Sequence, residues 1–329
     1  MSRSKEMDLT TGNPFWSLLK FAIPVILGNL FQLFYTLADS VIVGKTLGAD
    51  SLAAVGSTSI IIYFVFCFIN GFTGGFGICL GQRCGAKDEK GMRKSIAVST
   101  LLSIAFTVVL TLVCCLLAHQ ILSWMQIPED ISGEAYDYMF VVLLGTGATV
   151  FYNMISNMLR ALGDSKTPLY FLVFSSVLNI FLDILFIVPM HMGVAGAAWA
   201  TIIGQVVSGL MVLGYLSGFK TVHIPLKTLI PSRAAWIPIL SLGVAPFCNQ
   251  LAMMIVQIVM NNTLTYYGGQ SSYGSDIPLA CAGIISKVGM IFFAIVIGIS
   301  QGIQPIISYN YGAGNYDRVK NTYKKAVTA

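Results

Sequence analysis

The chain has 329 residues, of which 56% are apolar and 10% are charged, and its mean hydropathy is +0.78. Because so little polar surface cannot cover a water-soluble globule, the composition excludes a soluble globular protein and indicates an all-α polytopic membrane protein. The formal net charge of +5 reflects basic loops, and we expect no nucleic-acid partner.

Stretches of about 20 mainly apolar residues predict eight membrane-spanning helices. Their ranges are 15–43, 54–80, 95–118, 136–159, 169–188, 193–217, 236–264 and 279–307. The residues before the first span are polar and end in Asn13-Pro14. We therefore expect no cleaved signal and a first span that also serves as an anchor.

The basic residues predict which side of the membrane each loop occupies, because short loops rich in Lys and Arg stay in the cytoplasm. All but two of the 19 basic residues lie at the N-terminus, after the second, fourth and sixth spans, or in the C-terminal tail. The exceptions are Lys45, on the opposite side, and Lys287, inside the eighth span. This pattern predicts a multi-pass protein of the cytoplasmic membrane with its N-terminus inside.

Two parts of the chain resemble each other at one constant offset, which aligns Leu52 with Leu279 and Ala86 with Ala313. The repeated residues of the first copy are Leu52, Ala53, Gly56, Phe66, Gly71, Gly75, Gly85 and Ala86. A slightly shorter offset also aligns Pro24 with Pro246 and Asp39 with Asn261. The pattern predicts two six-helix lobes in a parallel repeat, although Gly and Ala also recur in membrane helices through composition alone.

On this interpretation, residues 1–218 form an N-terminal lobe and 219–234 a cytoplasmic linker. Residues 235–329 form an incomplete C-terminal lobe with the seventh and eighth spans and the start of a ninth at 319–329. A complete second lobe would require about four more helices. We therefore expect a protein of twelve helices, of which about eight are present here, and any function belongs to the complete protein.

Asp183 is the only charged residue in the apolar run 169–188. A carboxylate in hydrocarbon costs several kcal/mol, and such residues mark ion or proton pathways. Asp39 lies at a matching depth in the first span, and Asn179 is one helical turn from Asp183. Thr201 and Gln205 share one face of the sixth span, which predicts that these polar groups converge on one pocket within the first lobe.

Such a pocket suits the reversible binding of a cation. Oxygen ligands bind hard cations, and two nearby carboxylates in a medium of low dielectric do not both ionise readily. The site would therefore take up a proton, a sodium ion, or the two in competition. Pro24 removes a backbone hydrogen bond and permits a hinge; alternatively, Pro24 is an ordinary membrane-helix proline and Asp39 lies near the interface.

The motif around Asp183 resembles a known family. It comprises Arg160 to Asp164, Ser176 to Asp183 and Gly193 to Thr201, with Ala22-Ile23-Pro24, Ala38 to Val41 and Gly85-Ala86. These residues resemble the multidrug and toxic compound extrusion (MATE) transporters over essentially the whole chain. The resemblance implies two six-helix lobes and the export of organic cations or drugs in exchange for protons or sodium. It implies no other cofactor, and we expect a monomer in the lipid bilayer.

Carried over to this sequence, the resemblance implies a coupling cation at Asp39, Asn179, Asp183 and Thr201, which would also be the ligands of a sodium ion. It adds three residues of the fourth span, which are Tyr138, Asn153 and Asn157. The two asparagines lie nearer the inner end, where they could equally satisfy neighbouring backbone groups.

Further polar residues are candidates for the lining of a substrate cavity. They are Gln32, Gln205, Gln257, Asn261, Lys287 and Gln301. Lys287 lies about 12 Å deep at 1.5 Å per residue, so its side chain either reaches the outer surface or takes part in a gate between the lobes.

Three other classes of function have different requirements. A flippase for a lipid-linked precursor or polysaccharide shares the helix count but favours cationic cavities that hold phosphates. An intramembrane enzyme needs a nucleophile with a base, or metal ligands, at membrane depth, and the cysteine and histidine spacings supply neither. A passive channel does not require paired titratable groups beside a hinge. The flippase is the principal alternative to the antiporter.

Overall fold

The structure is a computed structural model, and it describes residues 9–125, 127–216, 233–271, 274 and 276–328. Within these ranges the protein is built of helices and turns, without a strand. The helices are α1 (Pro14–Thr46), α2 (Ala49–Gly85), α3 (Glu89–Leu116), α4 (Ala118–Trp124), α5 (Glu129–Leu144), α6 (Thr146–Ala161), α7 (Lys166–Ile187), α8 (Gly193–Leu216), α9 (Arg233–Gly269), α10 (Asp276–Gly312) and α11 (Tyr316–Val327). The predicted all-α class is confirmed.

Seven of these helices are long and apolar enough to cross a membrane, and the bent pair α5 and α6 supplies an eighth span. The sequence predicted one straight helix over 136–159, but the structure bends it by 42° at Gly145. A side chain at Gly145 would collide with Ile202 of α8, so the break lies at a close contact with α8. The short helix α4 was not predicted.

Polar side chains define the starts of three long helices. The Asn13 carboxamide oxygen accepts a hydrogen bond from the Phe15 amide at 3.0 Å, and Pro14 occupies the first turn of α1. The Asp88 carboxylate accepts from the Gly91 amide at 2.9 Å, and the Asp164 carboxylate accepts from the Thr167 amide at 3.0 Å. These contacts satisfy amides that have no partner inside the helix.

The helix bounds match the predicted repeat. The offset that aligns the recurring residues also carries the first and last residues of α2 onto the first and last residues of α10. The same offset carries the start of α3 onto the start of α11. The prolines aligned by the shorter offset, Pro24 and Pro246, both lie inside long helices, α1 and α9. The sequence period is therefore repeated in the lengths and breaks of the helices.

The two G-x-x-x-G pairs mediate close contacts between the copies. In α2, Gly71 lies against Phe247 and Gly75 against Gly243, both of α9. In α10, Gly298 lies against Ile26 and Gly302 against Ala22, both of α1. Each glycine pair therefore packs against the proline-containing helix of the other copy, as expected where small residues let backbones approach.

We call the end of the bundle that carries the N-terminal segment the basic end, and the opposite end the far end. Gly81 contacts Ser308, Gly85 contacts Tyr309 and Gly312 contacts Gln82, all close to the basic end. Beyond the middle of these helices, large apolar side chains of α9 and α10 are exposed, including Val256, Ile285 and Phe292. The contacts named here between α1 or α2 and α9 or α10 thus lie in the halves nearer the basic end.

Many large apolar side chains on the long helices face outward, among them Trp16, Val109, Leu116, Val177 and Phe181. Exposed apolar surface of this extent would aggregate in water, but it is what lipid-facing helices present. The protein is therefore a multi-pass membrane protein.

The segment that precedes α1 is held by the second copy. The Arg318 guanidinium of α11 donates hydrogen bonds to the main-chain oxygens of Leu9, Thr11 and Gly12 at 3.1, 2.7 and 2.7 Å. The Asn310 carboxamide also donates to the Leu9 oxygen at 3.0 Å. The Leu9 side chain is 2% exposed and packs beside Ile306, so the segment joins α1 to α10 and α11.

We expect Arg318→Ala to release this segment from α11. A hydrogen bond from a charged donor contributes about 2 kcal/mol to local stability, and the variant loses all three hydrogen bonds of the Arg318 guanidinium. Hydrogen exchange of the amides of residues 10–13 should accelerate in the variant. Lys320→Ala on the same helix is the matched control, and equal exchange in both variants would show that Arg318 does not hold the segment.

Two sequence predictions lie at least partly outside the described residues. Most of the predicted linker 219–234 falls in the range 217–232, and Arg233 already belongs to α9. Lys287 lies within α10, but its side chain is outside the described part of the chain.

Candidate functional site

Helices α1, α7 and α8 bring the principal predicted residues together. α7 packs along both α1 and α8. The small residues of α8 make this approach close, since a side chain on Gly204 would press against Ser175 and Asn179. Asp39 on α1 therefore faces Asp183 and Asn179 on α7, in the halves of these helices nearer the far end.

These polar side chains are buried almost completely. Asp183 is 0% exposed, Asn179 is 3% exposed and Asp39 is 9% exposed. Asp39 and Asp183 are close enough to interact electrostatically, and the Tyr138 ring of α5 interacts with both. Tyr138 also packs over the apolar cluster of Val43, Ile187, Val194 and Ala197, which closes the site toward the far end.

Four acceptor oxygens of this site are buried without a hydrogen-bond donor in the protein. They are Asp39 Oδ1, Asn179 Oδ1 and both carboxylate oxygens of Asp183. Leaving a buried polar atom unsatisfied costs about 1 to 3 kcal/mol, and more for a charged group. Four such oxygens on three facing side chains fit a small cation, which could contact all of them, or a proton, which would let one carboxyl group donate to another acceptor.

The Asn179 carboxamide is oriented by a hydrogen bond. Its Nδ2 donates to the Thr201 hydroxyl at 3.2 Å. Because the nitrogen points to α8, the carboxamide oxygen is left free to face the carboxylates. Thr201 thus contacts the site through Asn179, as the predicted set requires.

Gln205 extends the polar group along α8. It lies one turn beyond Thr201, and its carboxamide oxygen accepts a short hydrogen bond from the Thr149 hydroxyl of α6. Thr149 was not among the predicted site residues. Tyr35 was not among them either, although the structure places it beside Asp39 and Tyr138. The spacing of Tyr35 and Asp39, four residues apart in one helix, was the available signal.

The two asparagines of α6 make no hydrogen bond to the carboxylates. Asn153 Nδ2 donates to the Thr149 main-chain oxygen at 2.9 Å, which is the backbone role left open above. Asn157 Nδ2 donates to the Thr73 hydroxyl of α2 at 3.2 Å. Both lie farther toward the basic end than Tyr138, so the fourth span contributes Tyr138 alone to the immediate surroundings of the carboxylates.

The predicted hinge and cavity residues lie elsewhere. Pro24 is buried in the part of α1 that packs on α10, and α1 continues as one helix through it. Gln32 is exposed on α1. Gln257 donates to the Asn261 carboxamide at 3.1 Å within α9, and Gln301 is half-buried in α10. The structure therefore does not bring these side chains to the carboxylate pair.

The MatE family model matches residues 24–185 and 250–329, which is most of the chain. The chain belongs to the MATE family. The family resemblance noted from the sequence is thereby confirmed, and since MATE proteins are transporters, the chain is a transporter and not an enzyme.

Curated relatives and solved structures agree with this assignment. The chain is 31% identical over 318 residues to the probable multidrug resistance protein YpnP of Bacillus subtilis (strain 168), covering 96% of this chain and 69% of the relative. It is 24% identical to the multidrug export protein MepA of Staphylococcus haemolyticus (strain JCSC1435), covering 96% and 68%. A structure described as the outward-facing conformation of a multidrug resistance MATE family transporter superposes with a TM-score of 0.91 at 27% identity, covering 100% of this chain and 72% of that chain.

Proposed function

We propose that the protein is a secondary active antiporter that exports small organic cations or drugs across the cytoplasmic membrane in exchange for protons or sodium. The observation that carries the proposal is the set of four unsatisfied acceptor oxygens on Asp39, Asp183 and Asn179. A passive pathway has no need of buried carboxylates, whereas a coupling site needs groups that alternate between two states of occupancy. The names of the MATE relatives as multidrug export proteins support the substrate class.

The basic end is assigned to the cytoplasm in this proposal, in accordance with the positive-inside rule. The contacts described between the repeated helix pairs then lie on the cytoplasmic side, and the carboxylate pair lies in the outer half. The likeness to an outward-facing MATE structure supports the same assignment. We therefore propose that the described conformation is the outward-facing one.

Helix α1 provides a physical link between cation binding and lobe movement. Near one end it carries Asp39, which faces α7, and nearer the other it carries Ala22 and Ile26, which pack on Gly302 and Gly298 of α10. Pro24 lies between these two contact residues. A change in the charge of the carboxylate pair alters the packing of α1 on α7, and α1 transmits that change to the cytoplasmic contact.

The experiment that tests this proposal measures transport by the intact protein in proteoliposomes. A fluorescent organic cation is followed while a proton gradient and a sodium gradient are imposed separately. One of the two gradients should drive the cation against its own concentration gradient, and an ionophore that collapses the gradient should stop it. No movement under either gradient would contradict the antiporter and favour the flippase of a lipid-linked precursor.

A further inference from the structure

Helix α6 carries a polar face that the proposed coupling site does not use. Six residues at helical spacing make up this face, which we call the α6 polar stripe: Thr149, Tyr152, Asn153, Ser156, Asn157 and Arg160. The opposite side of α6 carries Met154, Ile155 and Met158, which are buried in the largest apolar cluster. An apolar span would have no reason to keep six polar residues in register along its length.

The Thr149 end of the α6 polar stripe, which is the end nearer the far end of the bundle, connects to the carboxylate site. Thr149 donates to Gln205 of α8, which lies one turn from Thr201. Thr201 in turn accepts from Asn179 at 3.2 Å. Three side chains, Gln205, Thr201 and Asn179, therefore lie between the start of the stripe and Asp183.

The stripe then runs through the interior of the protein toward the basic end. Tyr152 interacts electrostatically with Tyr35 of α1. It also interacts with Arg160, which lies farther along the stripe toward the basic end. Ser156 is 2% exposed, and its hydroxyl faces the Tyr152 hydroxyl. Asn157 bonds to Thr73 of α2 at 3.2 Å, so this part of the stripe lies between α6 and α2, which pack along each other.

Arg160 ends the stripe as a cation that forms no ion pair with any carboxylate in the described part of the chain. Its hydrogen bond is a long one of 3.4 Å to the neutral Asn157 carboxamide, and its Nε is buried without a partner. Among the described residues, the ion pairs are Arg83 with Asp88 and Arg93 with Glu89. A buried cation is normally paired, because desolvation without a counter-charge is costly. Within the described residues, the guanidinium charge therefore lies at the inner end of the stripe without an ion-pair partner.

We infer that the α6 polar stripe is the path by which the coupling cation passes between the carboxylate pair and the cytoplasmic side, and that the Arg160 guanidinium closes this path to cations in the described conformation. Hydroxyl and carboxamide oxygens can solvate a cation or a water chain, whereas a fixed positive charge at the inner mouth repels a cation. This inference rests on the proposed function, since it presupposes a cation at Asp39 and Asp183.

The test places a thiol on the stripe. Ser156→Cys is introduced into intact protein whose seven native cysteines are replaced, and two methanethiosulfonates of similar size, one cationic and one uncharged, are applied from the cytoplasmic side. With Arg160 present, the uncharged reagent should react faster than the cationic one, relative to their rates at an exposed cysteine. Arg160→Gln should raise the cationic rate on the order of tenfold and change the uncharged rate little.

The Arg160 variants distinguish an effect of the positive charge of Arg160 from an effect of its size. Arg160→Lys keeps the positive charge and should keep the cationic reagent slow. An equal gain for both reagents in Arg160→Gln would show that Arg160 acts by its bulk, and no reaction at Ser156→Cys with either reagent would show that the stripe is not a path. If Arg160→Gln does not fold, the ratio of the two rates with Arg160 in place still decides the question.

A second readout separates this inference from the antiporter itself. In proteoliposomes without drug, Arg160→Gln should leak the coupling cation several-fold faster than wild type or Arg160→Lys. If Asp183→Asn abolishes coupling while Arg160→Gln leaks no faster than wild type, the antiporter stands and the role of Arg160 is overturned. If Asp183→Asn still couples, the proposed function itself fails.

Discussion

Asp183→Asn is expected to abolish gradient-driven transport of organic cations while leaving insertion and folding intact. Asparagine has the shape of aspartate but carries no charge and takes up no proton, so the substituted site no longer alternates between two states. Asp183 is the most enclosed of the site residues, and both of its oxygens lack a donor. The expected loss is to the background of empty liposomes, because a removed coupling group is not replaced by any neighbour.

The measurement is uptake and efflux in proteoliposomes under the gradient that drives wild type. Asp130→Asn, at an exposed carboxylate in the first turn of α5, is the matched control and should transport as wild type does. Asp39→Asn should lose transport less completely than Asp183→Asn, since only one oxygen of Asp39 is buried without a partner. If Asp183→Asn still transported the organic cation against its concentration gradient, the proposed coupling role of Asp183 would be wrong.

The positions of Asp39 and Asp183 illustrate what the sequence can predict. Both were predicted to lie at a matching depth by counting residues to the ends of apolar spans, and Asn179 and Thr201 were added by helical spacing. The structure brings these four side chains together. Such inferences succeed because a membrane-spanning helix has a fixed rise per residue and few ways to bury a charge.

The positions of Asn157 and Thr149 illustrate what the sequence cannot predict. Which side chain meets which across two helices depends on their rotation and axial offset, and spacing within one helix specifies neither. Asn157 was therefore grouped with the carboxylates, although it bonds to Thr73 of α2. The bend at Gly145 was missed too, and the residue that lies against Gly145, Ile202, is on another helix.

The repeat offers a second route from sequence to mechanism. Eight recurring residues were enough to predict the correspondence of α2 with α10, and both helices have the predicted offset. The repeat also pairs each glycine motif with a proline-containing helix of the other copy. The proposed antiporter would open and close these contacts during transport, so on this proposal their closeness sets the stability of the closed side.

Gly302→Ala is accordingly expected to weaken the closed side and to reduce transport strongly. A Cβ at this position would lie 2.6 Å from the Cα of Ala22 and 2.8 Å from its nitrogen. Both are main-chain atoms of α1, so no side chain can rotate away and the two helices must separate. Overpacking of this kind costs typically about 1 to 3 kcal/mol, and Gly302→Val should cost more.

Gly283→Ala is the matched control, because it makes the same substitution in the same helix where nothing lies within 4 Å of the added Cβ. It should leave transport unchanged and raise helix stability slightly, since alanine is the better helix former by about 1 kcal/mol. Thermal unfolding of the purified protein and transport in proteoliposomes are compared for both variants. If Gly302→Ala behaved as Gly283→Ala does, the α1 and α10 backbones would not be in close contact in the working protein. The link from Asp39 through α1 to the cytoplasmic side would then lose its structural basis.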